Sequence, residues 1–279
     1  NKIPHIFIFD IDNCIIGDIT YIISEWLIYK TIDNIFPNNE NKLNNYFVDD
    51  MCNGLLRPYT IDFIKHIKTK FKNCELFIYT NSSYAWTNEV IVKNIEKASN
   101  IKFNKPYFTR ENSINHKKSL SNIYKNIMCV LKKKYNNKLL DKNLTNIINN
   151  RLIFIDNIKD NTSTHINRQL KCPDYDNVVY RNIYANMLKI FGIDIMNKDV
   201  VKNIFDETNV LYINTSHTDL LISDKLLYNI YISYEIRSSE LINEKYKHDK
   251  YFNILIQKLT CLSDKKIKEI NNFFEKNDI

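Results

Sequence analysis

Asp10 and Asp12 stand one residue apart, directly after the apolar run Ile6-Phe7-Ile8-Phe9. Two carboxylates that close repel each other, which costs stability unless something cationic sits between them. A hard divalent cation is the simplest answer, and magnesium is the default for oxygen ligands and phosphate chemistry. A second apolar run, Glu75-Leu76-Phe77-Ile78-Tyr79, stops at Thr80-Asn81-Ser82-Ser83. A hydroxyl and exposed backbone N–H groups at such a place suit a phosphate oxygen. A third run, Arg151-Leu152-Ile153-Phe154-Ile155, ends in Asp156-Asn157, and between the second and third lies His116-Lys117-Lys118-Ser119-Leu120. Each signal alone is weak. Asp-x-Asp occurs by chance and in metal-dependent sugar transferases, and Ser/Asn turns commonly precede helices.

The elements that must position these residues lend them weight. Apolar runs too short for helices, separated by helical stretches, read as buried strands of a parallel sheet with right-handed crossovers. In such a sheet reactive groups gather just past the carboxyl ends of the strands. The order strand–Asp-x-Asp, strand–Thr, helix–Lys, strand–Asp then assigns roles. Asp10 is placed to attack phosphorus and form an aspartyl-phosphate. Asp12 would protonate the leaving oxygen and later deprotonate water. Thr80 and the N–H groups after it would hold a phosphoryl oxygen, and Lys118 would offset the accumulated negative charge. Asp156 would complete a magnesium site with Asp10 and the backbone carbonyl of Asp12. A response-regulator receiver also uses Asp, Thr and Lys at strand ends, but it needs its acidic pair ahead of a separate phosphorylated Asp. The present order disfavours it.

Taken along the chain, Ile15–Asp18 with Gly17 reads as a tight loop, Tyr21–Ile35 as an amphipathic helix, and Pro37–Asn45 as a polar surface loop. Tyr59–Phe71 reads as a helix with Thr60 as its N-cap and Ile61, Ile64, Ile67 and Phe71 on one face. Thr87–Ala98 is a further helix, and Pro106–Arg110 a short strand. From Lys118 to about Asn150 runs a Lys-rich segment with Ile123, Ile127, Val130 and Leu131 on one side. Its Lys132-Lys133-Lys134 reads as a solvated helix face, with no Gly-rich or aromatic-interleaved pattern to suggest nucleic acid. Cys172–Tyr180 is a candidate edge strand, and Tyr184–Phe191 a helix ending at Gly192. Leu220–Glu244 and Tyr251–Leu262 have helical periodicity, and Ser263-Asp264 caps a terminal helix running to Glu275. No chemical motif falls beyond about Asn197.

At 279 residues, with 44% hydrophobic and 13% aromatic content, the chain can bury a sizeable core. Only 3 Gly and 5 Pro stand among abundant Asn, Lys, Ile and Tyr, the bias an AT-rich genome produces. The net charge of +7 and pI near 8.9 can attract anionic partners, but part of that excess is compositional. The 6 cysteines are scattered, with no Cys-x-x-Cys pair and no His at ligand spacing. That argues against zinc and for reduced thiols. No apolar run reaches a membrane span and no signal-peptide pattern opens the chain. A soluble intracellular protein, cytoplasmic or nuclear and not secreted, is expected.

The ordered set resembles the haloacid dehalogenase superfamily of aspartyl phosphatases, and within it the CTD-phosphatase (NIF-like) family. Arg57-Pro58 leading a helix into Phe77-Ile78-Tyr79-Thr80-Asn81-Ser82 is similar to that family's Arg-Pro, then an apolar strand ending Thr-x-Ser. Tyr84-Ala85 resembles its Tyr-Ala, Arg110-Glu111 its Arg-Glu, and Lys118-Ser119-Leu120-Ser121 its Lys-Asp-Leu-Ser, which selects Lys118 over Lys117. Asp156-Asn157 matches its closing Asp-Asp or Asp-Asn. The resemblance covers roughly Ile6–Tyr180. It implies a Rossmann-like parallel sheet with helices on both faces, Mg2+ held by Asp10, Asp12, Asp156 and Asn157, and Asn81, Ser82, Tyr84 and Arg110 contacting substrate. Three departures stand out. Cys14 replaces the usual Thr or Val, the stretch between the first two motifs looks helical, and the Lys-rich segment is longer.

The expected organisation is a phosphatase domain over 1–196, with inserts at about 15–56 and 119–150, followed by a mostly helical region over 197–279. The expected activity is Mg-dependent hydrolysis of a phosphate monoester, with a phosphoserine or phosphothreonine protein as substrate. The alternatives are a phosphatase for nucleic-acid ends or nucleotides, suggested by the basic balance, and a non-catalytic adaptor keeping the same fold. No membrane partner is expected.

Overall fold

A computed structural model describes residues 3–19, 45, 47–115, 117–158, 161–162, 164–177 and 246–277. Its strands are β1 (His5–Phe9), β2 (Cys74–Ile78), β3 (Leu152–Asp156) and β4 (Gln169–Lys171). They form a parallel sheet in the order β2-β1-β3-β4. The chain leaves β1 for β2 on one side, then crosses to β3 on the other. The carboxyl end of β1 is therefore a topological switch point, where such sheets open a crevice.

Side chains alternate across the sheet, as the two-residue period of a strand requires. Phe7, Phe9, Leu76, Ile78, Ile153 and Ile155 face one core, and Ile6, Ile8, Phe77, Phe154 and Leu152 the other. The first face is covered by α1 (Thr60–Lys70) and α2 (Val92–Ser99), the second by α3 (Leu120–Lys134), α4 (Asn137–Lys142) and α5 (Leu144–Arg151). Burial on both faces explains why the strands read as continuous apolar runs.

The C-terminal helices α6 (Tyr251–Lys258) and α7 (Asp264–Asn277) also join the first core, through Tyr251, Phe252, Leu255, Ile267, Ile270 and Phe274. Phe252 stacks on Phe63 of α1 with ring centroids 5.0 Å apart. At β4, the last strand of the sheet among the described residues, Asn271 of α7 donates to the Gln169 carbonyl at 2.9 Å and accepts from the Lys171 N–H at 3.0 Å. One side chain thus caps the edge of β4, where unpaired backbone groups would otherwise invite another strand. Ser263 caps α7 as expected, its Oγ accepting from the Lys266 N–H at 3.3 Å.

Several expectations need correction. Thr60 is not the N-cap of α1. Tyr59 takes that place in a left-handed conformation, and the Thr60 hydroxyl donates to the Arg57 carbonyl at 2.8 Å. Pro106–Arg110 is no strand: Phe108 alone bridges Tyr79, and the chain then turns through Arg110–Asn112. The edge strand is Gln169–Lys171, just ahead of the Cys172–Tyr180 stretch assigned to it. The Lys-rich segment divides into α3, α4 and α5. In these helices Lys132 pairs with Asp141 at 2.9 Å and Lys134 with Glu75 at 2.8 Å. The helices expected over Tyr21–Ile35, Tyr184–Phe191 and Leu220–Glu244, and most of the Pro37–Asn45 loop, lie outside the described residues. Among the described residues no helix is long and apolar enough to cross a membrane.

After β4, residues 172–177 run as a strap over the loop that follows β1. The Tyr175 N–H donates to the Asn13 carbonyl at 2.8 Å, and the Asp18 N–H to the Asn177 carbonyl at 2.9 Å. Gly17 permits this approach, because a Cβ there would fall 1.9 Å from the Asn177 carbonyl oxygen. Gly17→Ala must therefore displace the strap. We expect it to cost about 1–3 kcal/mol, the range for forced overpacking, in urea unfolding.

Candidate active site

The sheet register sets the site. Phe9 lies beside Ile78 of β2 and Ile155 of β3, so Asp10, Tyr79 and Asp156 come one step later on adjacent strands. The Tyr79 N–H donates to the Phe9 carbonyl and the Asp10 N–H to the Ile155 carbonyl, both at 2.9 Å, which carries the pairing past the strand ends. Beyond β1 the Ile11 carbonyl accepts from Cys14, Ile15 and Ile16 N–H groups at 3.1–3.2 Å. That tight turn holds Asp12 beside the end of β2.

Lys118 arrives from the segment leading into α3 and is buried. Its Nζ lies 2.7 Å from Asp10 Oδ1 and 2.8 Å from Asp156 Oδ2. The Ser119 N–H, next in the chain, donates to the Tyr79 hydroxyl at 3.0 Å, which ties this segment to the end of β2. Asp10 Oδ1 also accepts from the Ile11 N–H at 2.8 Å. Asp12 Oδ2 accepts from Ser82 Oγ at 2.7 Å and Thr80 Oγ1 at 3.0 Å. Its Oδ1 is buried without a hydrogen-bond partner.

These acids crowd around one ammonium. Burial pushes the Asp10 carboxyl up to about 8, against the pull of Lys118, with Asp156 and Asp12 adding to the rise. Burial likewise raises Asp12, opposed by its bonds from Ser82 and Thr80. Burial would lower Lys118, but Asp10 and Asp156 outweigh it and hold the ammonium charged. The folded-state value of Asp10 exceeds its reference of 3.8, so its favourable share of stability is greatest at acid pH and is lost as pH rises toward 8. Further positive charge would relieve this strain.

The residues of the expected substrate wall are also brought together. Arg110 donates from Nε to the Asn81 carbonyl at 2.9 Å, and its backbone N–H to the Ser82 carbonyl at 3.0 Å. Ser113 Oγ donates to Asn81 Oδ1 at 3.0 Å, and the Tyr84 N–H to Glu111 at 3.3 Å. The Thr80–Tyr84 loop and the Arg110–Ser113 turn thus form one cross-linked rim. Tyr84 is 59% exposed on it.

Asp156, expected as a metal ligand, lies against Lys118. Its Oδ2 takes Lys118 and the Asn161 amide at 2.9 Å, and its Oδ1 takes the Ile158 N–H at 2.7 Å. It is the counter-ion of Lys118. Among the described residues no cluster of His, Cys, Asp and Glu has the arrangement of a metal site. Asn157 supplies a different kind of donor. Its Oδ1 is buried without a partner, while its Nδ2 donates to Asp174 at 2.7 Å. The unpaired Oδ1 of Asn157 and the raised carboxyl of Asp10 are oxygen groups of the kind a hard cation takes.

A fission yeast RNA polymerase II CTD phosphatase, Fcp1, bound to beryllium fluoride, aligns with this chain at a TM-score of 0.36 and 17% identity. The alignment covers 88% of this chain and 67% of that one. No family model matches the chain. No curated protein does either. At so low a score the likeness bears no weight in the site, which stands on the distances above.

Sequence reasoning missed two supports, Asn161 and the structural role of Arg57. Asn161 gives no signal in so Asn-rich a chain. Arg57 was visible as part of Arg-Pro, yet its function is structural. It is buried, donates to Asp249 from Nε at 3.1 Å and Nη2 at 2.8 Å, and reaches the Cys14 and Pro173 carbonyls from Nη1 at 3.2 and 2.9 Å. Cys14 fills the space of the expected Thr or Val as a buried thiol, 3.2 Å from the sulfur of Cys172.

Proposed function

We propose that this chain is a magnesium-dependent phosphoric monoester hydrolase with a haloacid-dehalogenase-like fold, working through an aspartyl-phosphate on Asp10. The observation that carries the reading is the placement of Lys118 Nζ between Asp10 and Asp156, with Asp12 held alongside by Thr80 and Ser82.

Asp10 Oδ1 is occupied by Lys118 and the Ile11 N–H, which leaves Oδ2 as the attacking oxygen. Asp12 is fixed through Oδ2, so its unpartnered Oδ1 is the atom that gives a proton to the leaving oxygen and later takes one from water. The raised value of Asp12 favours the protonated form that the first step requires. Lys118, kept charged by Asp156, offsets the charge that gathers on the phosphoryl group. Thr80 exchanges its bond to Asp12 for one to a phosphoryl oxygen. Asp10, the Asp12 carbonyl and the Asn157 Oδ1 would hold Mg2+, with Asp156 acting from behind through Lys118. When bound, the ion would supply charge neutralisation and help align the phosphate.

The substrate follows from the rim. An exposed ring on Tyr84 and the Arg110 guanidinium present an apolar contact and a cation beside the acids, which suits a phosphoserine or phosphothreonine in an extended peptide. This is the substrate class of the CTD-phosphatase family that the motifs resemble.

The test is hydrolysis of p-nitrophenyl phosphate with and without Mg2+, by the intact chain and by Asp10→Asn. The expected result is activity that needs the metal and drops by at least ~10³-fold in the variant, since an amide cannot form the acyl phosphate. Equal activity of the two proteins would refute the assignment.

A further inference from the structure

We infer that Asp174, which no motif of the sequence singles out, is a positioning residue that fixes which end of the Asn157 amide faces the cation. The inference rests on the metal reading above. An asparagine side chain offers an acceptor and a two-hydrogen donor that exchange places on a half-turn, and only the oxygen can bind a metal. An ionised aspartate has acceptors only. The 2.7 Å contact between Asn157 and Asp174 Oδ1 therefore requires Nδ2 on the Asp174 side and sends Oδ1 the other way. That Oδ1 is buried and has no partner.

Asp174 is itself firmly placed. Its neighbours in the strap are anchored on both sides, the Pro173 carbonyl by Arg57 at 2.9 Å and the Tyr175 N–H by Asn13 at 2.8 Å. The Tyr175 hydroxyl adds a bond to the Gly54 carbonyl at 2.6 Å. The strap thus delivers one carboxylate to the back of a proposed ligand, as outer partners do for metal-bound histidines and carboxylates.

A double-mutant cycle read by metal affinity tests this. Mg2+ binding to the full chain is measured by isothermal titration calorimetry for the natural protein, Asp174→Ala, Asn157→Asp and the double variant. Asp174→Ala is expected to weaken binding about 10-fold or more, the usual loss for an outer partner. In the Asn157→Asp background the same change should cost nothing or tighten binding. A carboxylate has two equivalent oxygens and needs no orientation, and losing Asp174 removes a like charge. An equal loss in both backgrounds, or none in the natural one, would overturn the positioning role. If the natural protein takes up no Mg2+ at all, the metal reading itself fails, and the inference falls with it.

Discussion

Lys118→Met is expected to lower turnover of an aryl phosphate by at least ~10²-fold and to destabilise the fold by about 3–5 kcal/mol. Methionine roughly fills the volume but removes the ammonium that lies 2.7 Å from Asp10 and 2.8 Å from Asp156. Asp156 is then a fully buried carboxylate with only N–H donors around it, from Ile158 and Asn161. Taking one partner from a buried ion pair leaves the other uncompensated, and this accounts for the size of the effect. The loss also has a sign with pH. Without Lys118 the acids hold a proton more tightly in the folded state than in the unfolded, so stability falls as pH rises. The deficit against the natural protein should therefore be smaller at pH 5 than at pH 8 in urea unfolding. A deficit under ~1 kcal/mol that does not change with pH would mean that Lys118 is not buried between the acids.

Arg57→Met carries the second large effect, about 3–5 kcal/mol by the same reasoning, and it acts at a distance from the reacting atoms. The Arg57 guanidinium joins separate parts of the chain. Asp249 stands just before α6, Cys14 follows the Asp-x-Asp turn, and Pro173 belongs to the strap. It also lies over the rings of Tyr251 at 4.8 Å and Tyr175 at 5.3 Å. Burial alone would lower its affinity for the proton, but the bonds to Asp249 hold it above the usual value. Losing it unpairs Asp249 and frees the Cys14 carbonyl, so the Asp12 turn loosens and activity falls as well. Adding Asp249→Leu should recover part of the stability, because the stranded carboxylate is gone. Activity should not recover with it, since the Cys14 carbonyl remains unheld. A single variant as stable as the natural protein would show that the clamp is not formed.

How much of this was legible depended on whether a residue belonged to a pattern. β1, β2 and β3 are runs of large apolar residues buried on both faces, so their ends located Asp10, Thr80 and Asp156 directly. β4 is only Gln169–Lys171, with a single apolar side chain, and its pairing comes from β3 and Asn271. Pro106–Arg110 invited the opposite error. Its aromatic and Thr content suits a strand, yet Thr109 instead caps a tight turn. Periodicity marked α6 and α7 as helices, but it could not tell that their apolar faces share a core with Phe7 and Phe9. Asp174, Asp249, Asn161 and Asn271 are lone polar residues in a chain rich in Asp and Asn. Nothing local distinguishes them, because their roles come from partners distant in sequence.

The most direct test of the central claim is to trap the intermediate on Asp10. The protein is mixed with an aryl phosphate and Mg2+, quenched within one turnover, and treated with borohydride, which reduces an acyl phosphate to an alcohol and releases phosphate. Peptide mass spectrometry should then find homoserine in place of aspartate at position 10 and nowhere else. Turnover with Asp10 unreduced, or with the modification on Asp12 or Asp156, would contradict the assignment of the nucleophile.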